Sequence, residues 1–371
     1  MIRPINFRMN EQTAVNNYYQ EEIDILNAEI NKKAQQEFTE YQNIGRSVME
    51  ISHRSDQYQR IDHQAKSRLT ELLGLGDDFE IMFLQGGASS QFMMAPFNFL
   101  RKDQTADYID TGRWSDKAMT EARIFGNVHS AYSSADSGYD RVPTDDELAF
   151  SANARYVHFT SNNTVAGTQF PSEPETNGVP LVCDASSDFL SKPIDVSKYG
   201  LIYAGAQKNV GPAGVTIVIV HKDFLEKANT ENVPTILQYK THAEKIFNTP
   251  PTFNVYMVNL VLEWIQKKGG LSYFKQFNEE KAALVYNEID KDGFYKGAVE
   301  KDSRSIMNVT FRLKDDSLKA KFLSDAAEHD LMALKGHRSV GGIRASIYNA
   351  CPRESVEALV NFMHDFRDQN G

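Results

Sequence analysis

An aspartate and a lysine each close a short apolar run in the middle of the chain. Asp184 ends the run that begins at Val179, and Lys208 ends the run LIYAGAQK. Functional groups of α/β sheets gather at the carboxyl ends of strands, so we predict that the two residues face one pocket. A deprotonated lysine can form a Schiff base, and a carboxylate opposite it suits a pyridinium nitrogen, as pyridoxal phosphate requires. A surface lysine and a helix-capping aspartate are the alternative explanation.

A glycine-rich loop, Gln85-Gly86-Gly87-Ala88-Ser89-Ser90, stands between a strand-like run and a helical stretch. Glycines allow a tight turn, and the free N–H groups at the start of a helix bind phosphate. The serines add hydroxyl donors. An ordinary strand-to-helix loop explains the same residues about as well.

An aromatic residue follows another predicted strand, in the segment Thr111-Gly112-Arg113-Trp114. A tryptophan at this position could stack on a flat cofactor ring. A tryptophan that belongs to the hydrophobic core is the alternative.

Two His-Arg pairs suggest a ligand with two negative charges. His53-Arg54 lies in the N-terminal half, and His337-Arg338 lies in a glycine-rich loop that leads to Arg344. The guanidinium group pairs bidentately with carboxylate or phosphate. Solvated basic patches are the alternative explanation.

The elements that must position these residues form two patterns. Up to about Lys268, apolar runs alternate with helical spacing, which predicts an α/β fold with a mainly parallel sheet covered on both faces. Helices are predicted at 23–41, 57–73 with Ser55 as its cap, 253–268, 278–289, 318–329 and 354–366. Strands are predicted at 80–84, 107–109, 156–159, 180–183, 201–204, 215–220, 306–311, 331–334 and 343–347. We predict a large domain over 20–268 and a small α+β domain from 1–19 and 269–371.

Composition excludes several classes of protein. The 371 residues include 40 basic and 50 acidic side chains, a net charge of −10, which argues against nucleic-acid binding. The longest apolar run is about eight residues, too short for a membrane span, and the N-terminus lacks the apolar core of a secretory signal. The two cysteines, Cys183 and Cys351, are far apart and match no metal-binding spacing. We therefore expect a cytoplasmic protein with reduced thiols, no membrane partner and no metal.

A series of segments is similar to the phosphoserine aminotransferases, in the class V branch of the fold-type I enzymes that use pyridoxal phosphate. The segments are SVMEISHRS (47–55), FLQGGASSQF (83–92), TGRWSDKA (111–118), HFTSNNTVAGTQF (158–170), CDASSDFLSKPID (183–195), YAGAQKNVGPAG (203–214), FNTPPTF (247–253) and KGHRSVGGIRASIYNA (335–350). The resemblance runs from about Ser47 to the C-terminus. It departs from the family at Asn6-Phe7, which Arg8-Met9-Asn10 follows where the family usually has a Gly-Pro segment.

The resemblance implies the fold, a large domain with a mainly parallel seven-stranded sheet and a smaller α+β domain, and a set of cofactor contacts. Lys208 would form the Schiff base, and Asp184 would hold the pyridinium nitrogen protonated. Trp114 would stack on the ring, with Thr164 near its phenolic edge. The phosphate contacts would be Ala88, Ser89 and Gln207 from one subunit, and Asn248 and Thr249 from across a homodimer interface.

The resemblance also implies the substrates. Arg344 would take the α-carboxylate, and the substrate phosphate would be held by His53, Arg54, His337 and Arg338, some of them from the neighbouring subunit. The implied reaction is transamination between L-glutamate and 3-phosphohydroxypyruvate, which gives O-phospho-L-serine and 2-oxoglutarate in serine biosynthesis. 4-Phosphohydroxythreonine, in pyridoxal phosphate biosynthesis, is a further implied substrate.

Other functions remain open at this point. One is another class V enzyme, such as a cysteine desulfurase, but these commonly carry a histidine where Gln207 precedes Lys208, and Cys183 lies in a predicted buried strand. The other is a non-catalytic binding protein with the same fold, which the unusual N-terminus alone favours.

Overall fold

The computed structural model describes residues 20–371, so Asn6, Phe7 and the rest of the segment 1–19 lie outside the described residues. The helices are α1 (Gln20–Thr39), α2 (Asp56–Leu73), α3 (Gly87–Phe99), α4 (Arg113–Ala122), α5 (Lys222–Glu226), α6 (Tyr239–Glu244), α7 (Thr252–Lys267), α8 (Gly270–Ile289), α9 (Lys319–Glu328) and α10 (Arg353–Asn370). The strands are β1 (Phe79–Leu84), β2 (Thr105–Asp110), β3 (Asn127–Ser133), β4 (Ala154–Thr160), β5 (Asn162–Asn163), β6 (Thr168–Gln169), β7 (Leu181–Asp184), β8 (Tyr199–Gly205), β9 (Thr216–His221), β10 (Tyr295–Gly297), β11 (Asn308–Leu313) and β12 (Ile343–Ser346).

The largest sheet has seven strands in the order β1-β9-β8-β7-β4-β2-β3. Strand β9 is antiparallel to both of its neighbours, β1 and β8, and the other pairs are parallel. The predicted α/β fold with a mainly parallel seven-stranded sheet is therefore confirmed. Strands β5 and β6 form a small hairpin beside it.

Both faces of this sheet are covered, and its central strand β8 is buried along its whole length. On β8, Ile202 and Ala204 point into a cluster that includes residues of α2 and α7. The alternate residues Leu201 and Tyr203 point into a second cluster, formed with α3 and α4. A strand buried on both faces has no polar alternation, which is why the sequence shows it as a continuous apolar run.

The C-terminal part contains an antiparallel sheet, β10-β11-β12. Residues of α8, α9 and α10 pack with it in a third hydrophobic cluster, which includes Val285, Phe322 and Met363. Among residues 20–371, no helix has both the length and the apolar character of a membrane span.

Most predicted elements are present with ends within a few residues, but three predictions were wrong or incomplete. No strand of the described chain covers residues 331–334; an isolated bridge pairs Lys335, just after this segment, with Ile343. Asp330 and Ala333 have φ values of 60° and 59°, which an extended strand does not allow. Helix α8 begins at Gly270, well before the predicted start at 278. The edge strand β3 was missed because most of its residues are polar and exposed.

Candidate active site

The carboxyl ends of five strands meet at one edge of the large sheet. Strand β1 runs in the same direction as β8, because both are antiparallel to β9, and β8 is parallel to β7, β4 and β2. The loops that follow these strands therefore lie at the same edge. The strand ends and the segments that follow them contain the glycine-rich loop, Trp114, Thr164, Asp184 and Lys208.

Lys208 lies in this edge against the β5–β6 hairpin. Its Nζ donates a hydrogen bond to Thr164 Oγ1 at 2.6 Å. Asp184 is the last residue of β7 and is only 4% exposed, and its Oδ1 accepts a hydrogen bond from the Ser186 backbone N–H at 3.0 Å. Burial raises the pKa of Asp184, while the Ser186 hydrogen bonds and the nearby Lys208 charge lower it. We call Lys208, Asp184, Thr164 and Trp114 the lysine cluster.

Trp114 lies in the first turn of α4, beside Phe92, with 6.5 Å between the ring centroids. The Lys117 ammonium lies over its ring at 5.0 Å from the centroid. Within the described part of the chain, the Trp114 Nε1 is buried and has no hydrogen-bond partner. Trp114 is half-buried and packs against the second hydrophobic cluster.

The glycine-rich loop leads directly into α3. Gly86 has a φ of 96°, and a Cβ there would collide with the Ser90 side chain, so the turn requires glycine. Ala88 and Ser89 follow in the first turn of the helix, whose N–H groups have no partner inside the helix. Gln207 is exposed in the loop after β8. This helix start can hold an anion such as a phosphate group.

Arg344 connects the C-terminal sheet with the lysine cluster. It lies on β12, and its NH1 donates a hydrogen bond to the Thr164 carbonyl oxygen at 3.3 Å. Its Nε is buried and, among residues 20–371, has no hydrogen-bond partner. The guanidinium group therefore keeps donors that a carboxylate can use.

His337 precedes β12 in a loop surrounded by positive charge. Its Nδ1 accepts a hydrogen bond from the Ser339 backbone N–H at 3.2 Å. Burial lowers the pKa of His337, and four neighbouring cations lower it further: Arg113, Arg344, Arg338 and Lys117. Arg113 and Lys117 were missed by the sequence reasoning, although their place in the segment around Trp114 was a usable signal.

The other predicted residues line a separate, open groove of 580 Å³, which we call the basic groove. Its lining is His53, Arg54, Gln59, Ile246, Phe247, Asn248 and Thr249. Gln85 connects this groove with the glycine-rich loop, since its Nε2 donates to the Thr249 carbonyl at 2.8 Å and its Oε1 accepts from Asn248 Nδ2 at 3.2 Å. The structure thus groups the predicted residues around two places rather than one.

Neither cysteine is placed to act as a nucleophile. Cys183 lies inside β7 at 1% exposure, and Cys351 is also buried; neither forms a disulfide. Burial raises the pKa of both thiols, which disfavours the reactive thiolate. This agrees with the argument against a cysteine desulfurase.

Comparison with known proteins identifies the family. The profile of the family Aminotransferase class-V matches residues 26–359. Phosphoserine aminotransferase from Herpetosiphon aurantiacus is 51% identical over 350 residues, which cover 94% of this chain and 97% of the relative. The chain belongs to the phosphoserine aminotransferase family. The enzyme of that name from Bacillus subtilis is 50% identical over 351 residues, 93% of this chain and 96% of the relative.

Solved structures of this family have the same fold. Phosphoserine aminotransferase from Bacillus circulans subsp. alkalophilus superposes with a TM-score of 0.90 at 49% identity, covering 92% of this chain and 96% of that one. A pyridoxal-phosphate-bound phosphoserine aminotransferase from Trichomonas vaginalis gives a TM-score of 0.86 at 39% identity, with 91% and 96% coverage. The family match begins at residue 26, so the resemblance extends further towards the N-terminus than the expected start near Ser47.

Proposed function

We propose that this chain is a pyridoxal-phosphate-dependent aminotransferase that converts L-glutamate and 3-phosphohydroxypyruvate into 2-oxoglutarate and O-phospho-L-serine. The observation that carries the proposal is the lysine cluster: Lys208, hydrogen-bonded to Thr164, lies near a buried aspartate at the carboxyl edge of the sheet. The family membership agrees with this activity. The product is a precursor of serine, which places the enzyme in amino-acid biosynthesis.

The residues at this edge fit pyridoxal phosphate. Burial raises the pKa of Asp184 despite the nearby Lys208 charge, and a protonated ring nitrogen beside the carboxylate would help to offset the cost of its burial. Lys208 would hold the cofactor carbonyl carbon, and Trp114 would cover the ring with Thr164 beside it. Ala88, Ser89 and Gln207 would hold the phosphate at the start of α3. When bound, the cofactor supplies an electron sink for the substrate carbon.

The side chains of this chain then have distinct tasks. Arg344 binds the substrate α-carboxylate and so orients the Cα–H bond towards Lys208. Lys208 Nζ would take the proton from Cα and deliver it to the cofactor carbon that bears the nitrogen, and it would move a proton in the opposite direction in the second half-reaction. Asp184 keeps its negative charge beside the ring nitrogen and thereby keeps that nitrogen protonated. Each role requires a fixed side-chain position, and residues on strands or directly after them are held in place by the sheet.

The anionic end of the substrate is the second half of the proposal. His337 and Arg338, together with His53 and Arg54, would bind the phosphate of phosphoserine or the side-chain carboxylate of glutamate. Arginine carries a fixed charge and its fork fits either group, while histidine adds a donor whose charge follows pH. The same pocket would accept 4-phosphohydroxythreonine as a second substrate, in pyridoxine biosynthesis. The ratio of kcat/KM for this compound to kcat/KM for phosphoserine measures how well the pocket accepts it.

We also propose a cytoplasmic homodimer in which two copies share their sites. The basic groove is lined by none of the lysine-cluster residues, and it exposes 40% of Phe247. Asn248 and Thr249 of one copy would complete the cofactor phosphate site of the other. The described chain would divide into a large domain, 20–268, and a small domain, 269–371.

Absorbance spectroscopy tests the activity directly. We expect a visible band from the cofactor bound at Lys208, and we expect O-phospho-L-serine, added without a keto acid, to convert it to the amine form of the cofactor. A band that phosphoserine leaves unchanged would contradict the substrate assignment. A colourless protein that takes up no pyridoxal phosphate would instead indicate a non-catalytic binding protein.

Subunit mixing tests the shared sites. Lys208→Ala and Arg54→Ala subunits are refolded together and assayed at a phosphoserine concentration far below the KM of Arg54→Ala, where each variant alone, the control, is nearly inactive. If Arg54 acts across the interface, each mixed dimer has one intact site, and random mixing restores about a quarter of the wild-type activity. If each site is built from a single chain, the mixture stays as inactive as its components.

A further inference from the structure

A buried lysine outside the active site is held entirely by main-chain oxygens. Lys281 on α8 is 0% exposed, and its Nζ donates to the carbonyls of Ile347 at 3.1 Å, Tyr348 at 2.8 Å and Cys351 at 2.9 Å. The ammonium also lies 4.5 Å from the Phe277 ring centroid. An ammonium group has three donors, and this turn supplies an acceptor for each of them.

The three acceptors belong to one turn, which follows β12 directly. Three carbonyl dipoles aimed at one point repel each other unless a positive charge lies between them. Burying that charge is costly, and the hydrogen bonds of the turn compensate for the cost. The Lys281 ammonium therefore fixes the shape of the segment 347–351.

The same turn is attached to the large sheet through Asn349. Its backbone N–H donates to Asn209 Oδ1 at 3.0 Å, and its Nδ2 donates to the Leu190 carbonyl at 2.9 Å. Its Oδ1 accepts from Asn278 Nδ2 of α8 at 2.8 Å. Every one of these side chains is buried, so water does not compete for the bonds.

The two ends of this network lie next to the residues that act on the substrate. Asn209 directly follows Lys208 in the chain, and Ile347 is three residues after Arg344. We infer that Lys281 and Asn349 are positioning residues that set the placement of Arg344 relative to Lys208. This inference rests on the proposed function, in which Arg344 holds the carboxylate of the amino acid whose Cα proton Lys208 removes.

The inference predicts an effect on substrate binding rather than on the cofactor. In Lys281→Met the side chain keeps a similar length but loses all three donors, so the turn relaxes and Arg344 moves. We expect KM for glutamate and for phosphoserine to rise about tenfold or more, because a small misplacement of a binding group is costly. The visible band of the cofactor at Lys208 should remain.

A control on the neighbouring helix α10 separates positioning from stability. Arg367 of α10 is buried and forms an ion pair with Glu288 of α8, in the same C-terminal layer but away from the turn. Arg367→Met should lower the melting temperature and leave both KM values unchanged. A Lys281→Met variant that is likewise less stable but keeps wild-type KM values would overturn the inference.

Asn349→Ser provides a second variant in case Lys281→Met does not fold. It removes the two amide contacts and keeps the backbone donor to Asn209, so we expect a smaller rise in both KM values. Unchanged KM values in folded Asn349→Ser would again overturn the inference. Failure of the proposed function is a different result, because wild-type protein would then show no spectral response to phosphoserine.

Discussion

The lysine cluster and the basic side chains around it differ in how firmly the fold holds them. Lys208 follows β8, Asp184 ends β7 and Thr164 lies in the β5–β6 hairpin, and Asp184 is almost completely buried. The His-Arg pairs lie on loops, and one of them lines an open groove. Proton transfer requires fixed geometry, whereas anion recognition can be completed when the ligand and a second copy arrive. Changes to the first region should therefore abolish chemistry, and changes to the second should weaken binding.

Lys208→Ala should have the largest effect. Without the amine there is no Schiff base and no group to move the Cα proton, and general acid–base catalysis alone is worth about two to four orders of magnitude. We expect turnover of phosphoserine to fall by about a thousandfold or more and the visible cofactor band to disappear. Lys222→Ala, at an exposed position, is the control, and equal activity of the two variants would contradict the assignment.

Asp184→Asn should be next, because it keeps the shape of the side chain and removes its charge. The ring nitrogen would lose its proton more easily, and we expect turnover to fall about a hundredfold, measured as kcat with saturating substrates. Asp188→Asn is a matched control, since Asp188 is a buried carboxyl on the same loop that accepts hydrogen bonds from Ser161 and Gln169. We expect this control to lower stability more than kcat. Identical losses of kcat in both variants would contradict a special role for Asp184.

Arg338→Ala should weaken binding without loss of the cofactor. One charge-assisted hydrogen bond is worth about 1.5–3 kcal/mol, so KM for phosphoserine should rise about tenfold to a hundredfold. Bound pyridoxal phosphate, measured by absorbance, should stay at the wild-type amount. Arg123→Ala, at an exposed position after α4, serves as the control. Unchanged phosphoserine kinetics in Arg338→Ala would exclude this arginine from the phosphate site.

His337→Gln should produce the smallest effect, visible only in the pH dependence. The pKa of His337 is lowered in the free site by burial and by four neighbouring cations, and a bound anion would raise it again. Ligand binding then takes up a proton, so affinity should increase as the pH falls from about 8 towards 6.

Glutamate is the suitable ligand for this measurement, because its side chain stays ionised over that range. The wild-type protein should bind it a few-fold more tightly at the lower pH, and His337→Gln should not. The same pH dependence in both proteins would show that another group titrates.

The sequence predicts a strand, a helix cap or a turn well when the feature depends only on residues close together in the chain. The apolar runs of the central strands, the Ser55 helix cap and the glycine-rich loop were all located correctly. The strand predicted at 331–334 was wrong because backbone conformation at Asp330 and Ala333 is not visible in hydrophobicity. Arg113 and Lys117 were missed because their proximity to His337 depends on how α4 meets a loop more than two hundred residues later.

By itself, the sequence determined the fold class and the family and predicted which residues would do the chemistry, because apolar periodicity and short motifs are local properties. Only the tertiary structure decided which of them lie together. It placed Lys208 against Thr164, brought Arg344 from the C-terminal sheet to the same hairpin, and left His53 and Arg54 in a different groove. It also revealed Lys281 as the centre of a buried network, although nothing in its neighbourhood along the chain indicates this. The physical reason is that hydrogen bonds and charges act over a few ångströms in space, and the packing of distant segments decides which groups come that close.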